Sequence, residues 1–238
     1  MVYWRFPQTT RRTVSYYDLG EYSLPVSTNS ADAQLWFDRG LNWTYGYNHD
    51  EAVVCFQKAI EADPACAMAH WGLAYAAGPN YNLPWDKMDP RGKVKNLAKA
   101  FDATQQALEN VEGTTAEERA LIEAIAARYP QRDTLDDMTP WNDAFADAMR
   151  KALDHHPDSL EVRTICAEAL LNRTPWQMWN LSEAVPAQGA DTLECEAIIE
   201  KALDDDPRAM RHPGLLHVYV HLMEMSPYPE RALKAGDA

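Results

Sequence analysis

The chain has 238 residues and a formal net charge of −14. That sign opposes a groove that tracks phosphates, so the composition argues against a nucleic-acid binder, and an anionic membrane surface is equally unattractive. Glycine is scarce at 10 residues, which favours helices over sheets, and the 8 tryptophans argue against a disordered chain.

Residues 1–30 carry Tyr3, Trp4, Phe6, Tyr16, Tyr17 and Tyr22 without a helical period, and Pro7, Gly20 and Pro25 interrupt any helix. An extended aromatic arm docked on the rest of the chain is expected. The first residues lack the apolar stretch of a secretory signal, and no apolar run is long enough to span a membrane. Ser30 or Asn29 then caps a first helix, on which Trp36, Gly40 and Trp43 share one face. Gly40 is small where a second helix would cross closely. Asn48, with Glu51 three residues on, has the form of a capped helix start. Ala52, Phe56, Ala59 and Ile60 face inward on the helix that follows, and Pro64 ends it.

Residues 65–77 form a strongly apolar helix stopped by Gly78-Pro79. A loop over 80–90 is long for a helical hairpin. Further helices are expected over 92–110, from Thr115 (with Glu118 as its capping-box partner) to the stop at Pro130, from Pro140 to His155, and from Asp158, as cap, to Leu171. A second insertion spans 172–189, a helix runs from 190 to 203, and Pro207 ends it. One helical hairpin cannot bury its apolar face alone, so these must stack. Both insertions fall between the two helices of a pair and should emerge on the same edge. There Trp85, Trp176 and Trp179 either form a joint surface or fill gaps between irregular repeats.

Trp36, Gly40, Ala52, Phe56, Ala59 and Pro64 together resemble the tetratricopeptide (TPR) repeat. The resemblance implies an all-α chain: a TPR-like right-handed α-solenoid of helix–turn–helix repeats, interrupted by two insertions. Residues 1–30 would be the docked arm, and 31–238 would hold about four and a half repeats. The last repeat stops unfinished, so the end reads as a truncation, and self-association into a homo-oligomer could complete it. Three blocks, residues 45–56, 66–82 and 212–233, further resemble a group of long bacterial and fungal TPR proteins whose function is poorly defined. That resemblance implies that His212, His217, His221 and Glu224 are a family feature and half of a larger site, the other half lying in a further His-rich segment of the relatives.

The chemistry-bearing residues cluster near the end. Pro213 suits the start of a helix, which puts His217 and His221 at i and i+4 on one face, the spacing with which two imidazoles reach one metal. Glu224 would be a third ligand, a partner orienting an imidazole, or a general base, and His212 could swing in. In the repeat register His217 occupies the small position that Gly40 holds in the first repeat. A hydrogen-bonded cluster without metal, or a surface coincidence, accounts for the same spacing. His70 is expected about 30 Å from His217 across three stacked repeats. His49 reads as a helix cap, and His155-His156 as cations at a helix end. Cys55, Cys66, Cys166 and Cys195 are widely spaced and read as reduced thiols of a cytosolic protein.

Two functions are compatible with these residues. One is a TPR-type scaffold or binding protein of the cytoplasm, for a protein or small-molecule partner. The inner helices are unusually apolar for a clamp on a peptide carboxylate. The other is a metal-dependent enzyme or metal-binding protein in which His217, His221 and His212 hold Zn, Cu, Ni or Fe in an apolar pocket and Glu224 is the base.

Overall fold

The computed structural model describes residues 16–238. Nearly all regular structure among them is helical: α1 (Ala31–Tyr45), α2 (His49–Ala62), α3 (Ala67–Ala77), α4 (Pro90–Glu109), α5 (Ala116–Arg128), α6 (Thr139–His155), α7 (Leu160–Leu171), α8 (Thr192–Asp205), α9 (Pro213–Met223) and the short α10 (Leu233–Gly236). The helix starts follow local chemistry. Ser30 accepts from the Ala33 amide and Asn48 from the Glu51 amide, and Thr115 and Glu118 form a reciprocal capping box. Before α7 the cap is Ser159 and not Asp158: its hydroxyl accepts from the Val162 amide.

Successive helices pack as pairs, α1 on α2, α3 on α4, α5 on α6 and α7 on α8. Phe56 of α2 fills a notch between Gly40 of α1 and Gly72 of α3. A Cβ on Gly40 would stand 2.8 Å from its ring, and one on Gly72 closer still. The odd-numbered helices are the inner ones. Every residue of α3, and every residue of α7 but Leu160, is buried, whereas α4 and α6 bury one face only.

The inner helices close a circuit. α1 touches α3, α3 touches α5, α7 touches α9, and α9 returns to α1. Ser159 at the head of α7 donates to Glu117 on α5 at 2.7 Å. At the closure, the end of α1 lies on the start of α9: a Cβ on Gly214 would stand 2.5 Å from the Tyr45 ring. The tight position on α9 is therefore Gly214, three residues before the His217 that the repeat register indicates. Between the inner helices a void of only about 10 Å³ remains, bordered by Tyr45, Tyr47, Tyr75 and Glu168 among others. That is about the room of one water.

Residues 16–30 run extended along one end of this circuit. Tyr22 reaches α7 and α9, Ser27 bonds Glu118, and Thr28 bonds Asp63. The expected docking of Tyr3, Trp4 and Phe6 lies outside the described residues.

The insertions meet at the other end. The first carries Tyr81 and Trp85, both buried. The second forms a two-stranded antiparallel hairpin, β1 (Trp179–Asn180) on β2 (Val185–Pro186), pinned where the Trp179 indole donates to the Leu222 carbonyl at 2.6 Å. Tyr81 and Trp176 bring the two insertions together, with ring centroids 5.0 Å apart. They do not make a three-tryptophan surface. Trp85 lies edge-on to Tyr129 and Trp141, Trp179 is buried, and Trp176 is 47% exposed. Among the described residues no helix is long and apolar enough to cross a membrane.

Candidate functional site

Helix α9 carries two histidine groups in different states. His212 is its N-cap. The Leu215 amide donates to its Nδ1 at 3.1 Å, so the ring proton sits on Nε2, which faces the Glu161 carboxylate at 3.2 Å. The Tyr22 hydroxyl donates to the same carboxylate at 2.7 Å, and the buried Tyr45 hydroxyl donates to its other oxygen. Burial alone would raise the Glu161 carboxyl. The hydrogen bonds of His212 and the two tyrosines overcome that and hold it below its ordinary value. Both nitrogens of His212 are thereby committed, and it does not join His217 and His221.

Those two histidines do come together. Their rings stack with centroids 4.7 Å apart and planes 21° from parallel. His217 Nδ1 lies 2.5 Å from the Tyr45 carbonyl. That carbonyl belongs to the last turn of α1, where no helical amide is left to bond it. His221 Nδ1 lies 2.9 Å from Glu224 Oε1. Glu224 therefore stands behind His221 as an orienting partner. The Nε2 atom of His221 is buried and has no hydrogen-bond partner. Burial holds His217 below the ordinary imidazole value, with the Tyr45 carbonyl partly opposing this.

Aromatic rings enclose the pair. Tyr47 packs 4.4 Å from His217 and 5.2 Å from His221, Tyr81 packs 4.9 Å from His221, and Trp176 stands edge-on at 6.2 Å. Tyr47 and Trp176 have left-handed backbone, with φ of 57° and 63°. Such conformations cost non-glycine residues on the order of 1–3 kcal/mol, and they persist where the surroundings hold them, often at ligand sites. Here both deliver a ring to His221.

Behind Tyr47 lies a second layer. His49, at the first position of α2, is not the cap, since Asn48 is. Its ring lies 5.5 Å from Tyr47, its nitrogens are buried without a hydrogen bond of good geometry, and burial pushes it down to about 4. The Tyr47 hydroxyl is likewise buried and unpartnered. Glu168 is pushed up to about 8 by burial, with only the Asn172 amide opposing. Arg128 is fully enclosed against Phe145 and donates to the Pro79 carbonyl at 2.8 Å.

Of the residues singled out from sequence, His217, His221 and Glu224 are thus one site and His212 belongs to another. His70 faces the Pro64 carbonyl at 2.9 Å, away from both. Among the described residues no three His, Cys, Asp or Glu side chains converge to hold a metal ion. Tyr47, His49, Tyr81 and Trp176 were missed as site residues, although the first three lie in the blocks that carry the family resemblance. No protein-family model matches the chain, nor does any curated protein or any solved structure.

Proposed function

We propose that the chain is a binding protein on a TPR-type helical scaffold, and that it takes a small ligand where Tyr47, Tyr81 and Trp176 enclose His217 and His221. The scaffold reading rests on Gly40, Phe56 and Pro64: Phe56 seats against Gly40, and Pro64 follows the end of α2, as the repeat pattern requires. Such a stack most simply binds a peptide along its inner helices. Here that face is taken up by the chain itself, because α9 returns to α1 and the void bordered by Tyr45, Tyr75 and Gly214 holds just 10 Å³.

The observation that carries the proposal is the His221 Nε2 atom, buried and unpartnered beneath three aromatic rings. An acceptor left in that state is costly, and a ligand that satisfies it recovers the loss. The chemistry calls for a flat molecule with a hydrogen-bond donor, one that can share these ring faces. We assign the protein to a reducing compartment, the cytoplasm, on its four free and buried cysteines.

The test is a ligand-observed NMR screen of small heterocycles against the parent, Trp176→Ala and His221→Ala, each checked for native helicity. Hits lost in both variants are expected. Hits indifferent to both substitutions, or no hits from a broad set, would refute the proposal.

A further inference from the structure

We propose that the outer face of the stack, along α4, docks an acidic amphipathic segment of a partner protein. This surface is separate from the histidine face and independent of it.

The sequence concentrates positive charge there. Residues 87–99 hold five of the 22 Lys and Arg, against one carboxylate, Asp89, in a chain of net charge −14. Arg91, Lys95 and Lys99 are spaced i, i+4 and i+8 on α4, so they form one row along it. Such a row is costly twice over. Like charges at this spacing repel, and the first turn of a helix carries the positive end of its dipole. Neighbours do not offset the cost: none of the three makes an ion pair or a side-chain hydrogen bond among the described residues. Asp102, three residues beyond Lys99, could answer it, but Arg132 holds both carboxylate oxygens, at 2.9 and 3.0 Å. Burial and the charge of Lys95 hold Lys99 below the ordinary lysine value, with Asp50 opposing.

The row runs into a groove. α2 and α4 both pack on α3 and leave an open trough of about 580 Å³ between them. Ile60, Leu73 and Ala103 give it an apolar lining, and Gln57, Gln106 and Lys99 border it. Lys99 thus belongs to the row and to the groove. A docking helix can seat apolar anchors in the trough while its carboxylates meet the cations. Between Arg91 and Gln106 α4 offers about 22 Å, the length of a helix of about four turns. Charge selects the partner: the row repels a basic surface, and an acidic one answers it. Glu61 lines the α2 wall, so the acidic side of the segment faces α4.

The experiment is fluorescence anisotropy of the parent with labelled helical peptides about four turns long, carrying Glu at i, i+4 and i+8 and Leu on the adjoining face. Controls are the same peptides with Gln for Glu, a single-stranded oligonucleotide, and anionic lipid vesicles. Saturable binding of the Glu peptides is expected, weakened by salt. Arg91→Glu/Lys95→Glu should lose at least about tenfold in affinity. It should melt no lower than the parent, because carboxylates suit this end of a helix. Equal binding of the Gln peptides, an affinity unchanged in the variant, or no saturable binding of any Glu peptide would overturn the proposal. Tighter binding of the oligonucleotide or the vesicles would overturn it in favour of a phosphate-bearing partner. Heterocycle hits at the histidine face should be the same in the parent and this variant, which keeps the two readings apart.

Discussion

Glu161 and Glu168 stand about two turns apart on α7, and both are buried, at 2% and 4% exposure. Their carboxyls are shifted in opposite directions. Glu161 meets three donors, Tyr22, Tyr45 and His212, and is held below its ordinary value; Glu168 has no such set of donors and is pushed up by burial to about 8. Burial acts on both in the same direction, so the donors make the difference. The contrast extends to their neighbourhoods. Around Glu161 the polar atoms are answered, and the cluster ties the arm, α1, α7 and α9 together. In the Tyr47 neighbourhood of Glu168, the Tyr47 hydroxyl, the His49 nitrogens and His221 Nε2 are unanswered. A saturated polar cluster holds architecture, whereas an unsaturated one is where something else can bind.

Removing the saturated centre should have the largest effect. Glu161→Ala removes the shared acceptor of Tyr22, Tyr45 and His212, leaving the buried Tyr45 hydroxyl without its partner, and should destabilise the fold by about 3–5 kcal/mol, read from urea unfolding. A loss below about 1 kcal/mol would mean that this cluster is not the tie described.

The two glutamates should also give opposite pH dependences. The raised value of Glu168 means the folded state binds its proton more tightly than the unfolded chain does. Its contribution is full below the ordinary value of 4.5 and is lost as pH rises through about 8. On the order of 5 kcal/mol should disappear across that window, and Glu168→Gln should flatten the profile. The lowered value of Glu161 has the reverse sign: its contribution is present above 4.5 and is lost as the solution is acidified through the folded-state value. Thermal unfolding between pH 3 and pH 9 separates the two slopes. A profile of Glu168→Gln that matches the parent would remove the unsaturated half of the comparison.

A smaller effect is expected from the closure that joins the two regions. Gly214→Ala puts a methyl into the Tyr45 ring, at 2.5 Å in the present geometry. It should cost about 1–3 kcal/mol and loosen the α1–α9 contact, seen as faster amide exchange at the start of α9. The same exchange pattern in parent and variant would show that the closure is slack.

The parts legible in the sequence are those with local causes. Ser30, Asn48 and the Thr115–Glu118 box mark helix starts because capping is decided within three residues. Gly40 marks a close crossing because only the missing Cβ admits Phe56. Closure of the circuit leaves no such local mark: the His217–Tyr45 bond joins residues 172 apart in the chain. Without it His49 reads as a cap in a remote hairpin and His212 as a neighbour of His217. Chain proximity misled for His212, since α9 points its first residue toward α7 and the arm. The left-handed backbone of Tyr47 and Trp176 was equally hidden, because aromatic residues give no local signal for it.

The most direct test of the contrast between committed and uncommitted histidines is the tautomer of each ring. Long-range proton–nitrogen NMR correlation of the histidine side chains at neutral pH distinguishes a protonated from a bare ring nitrogen. His217 and His221 should carry their protons on Nδ1 and show a bare Nε2, while His212 shows the reverse. Protonated Nε2 on His217 and His221 would contradict the account, because neither ring would then have a lone pair to offer a ligand.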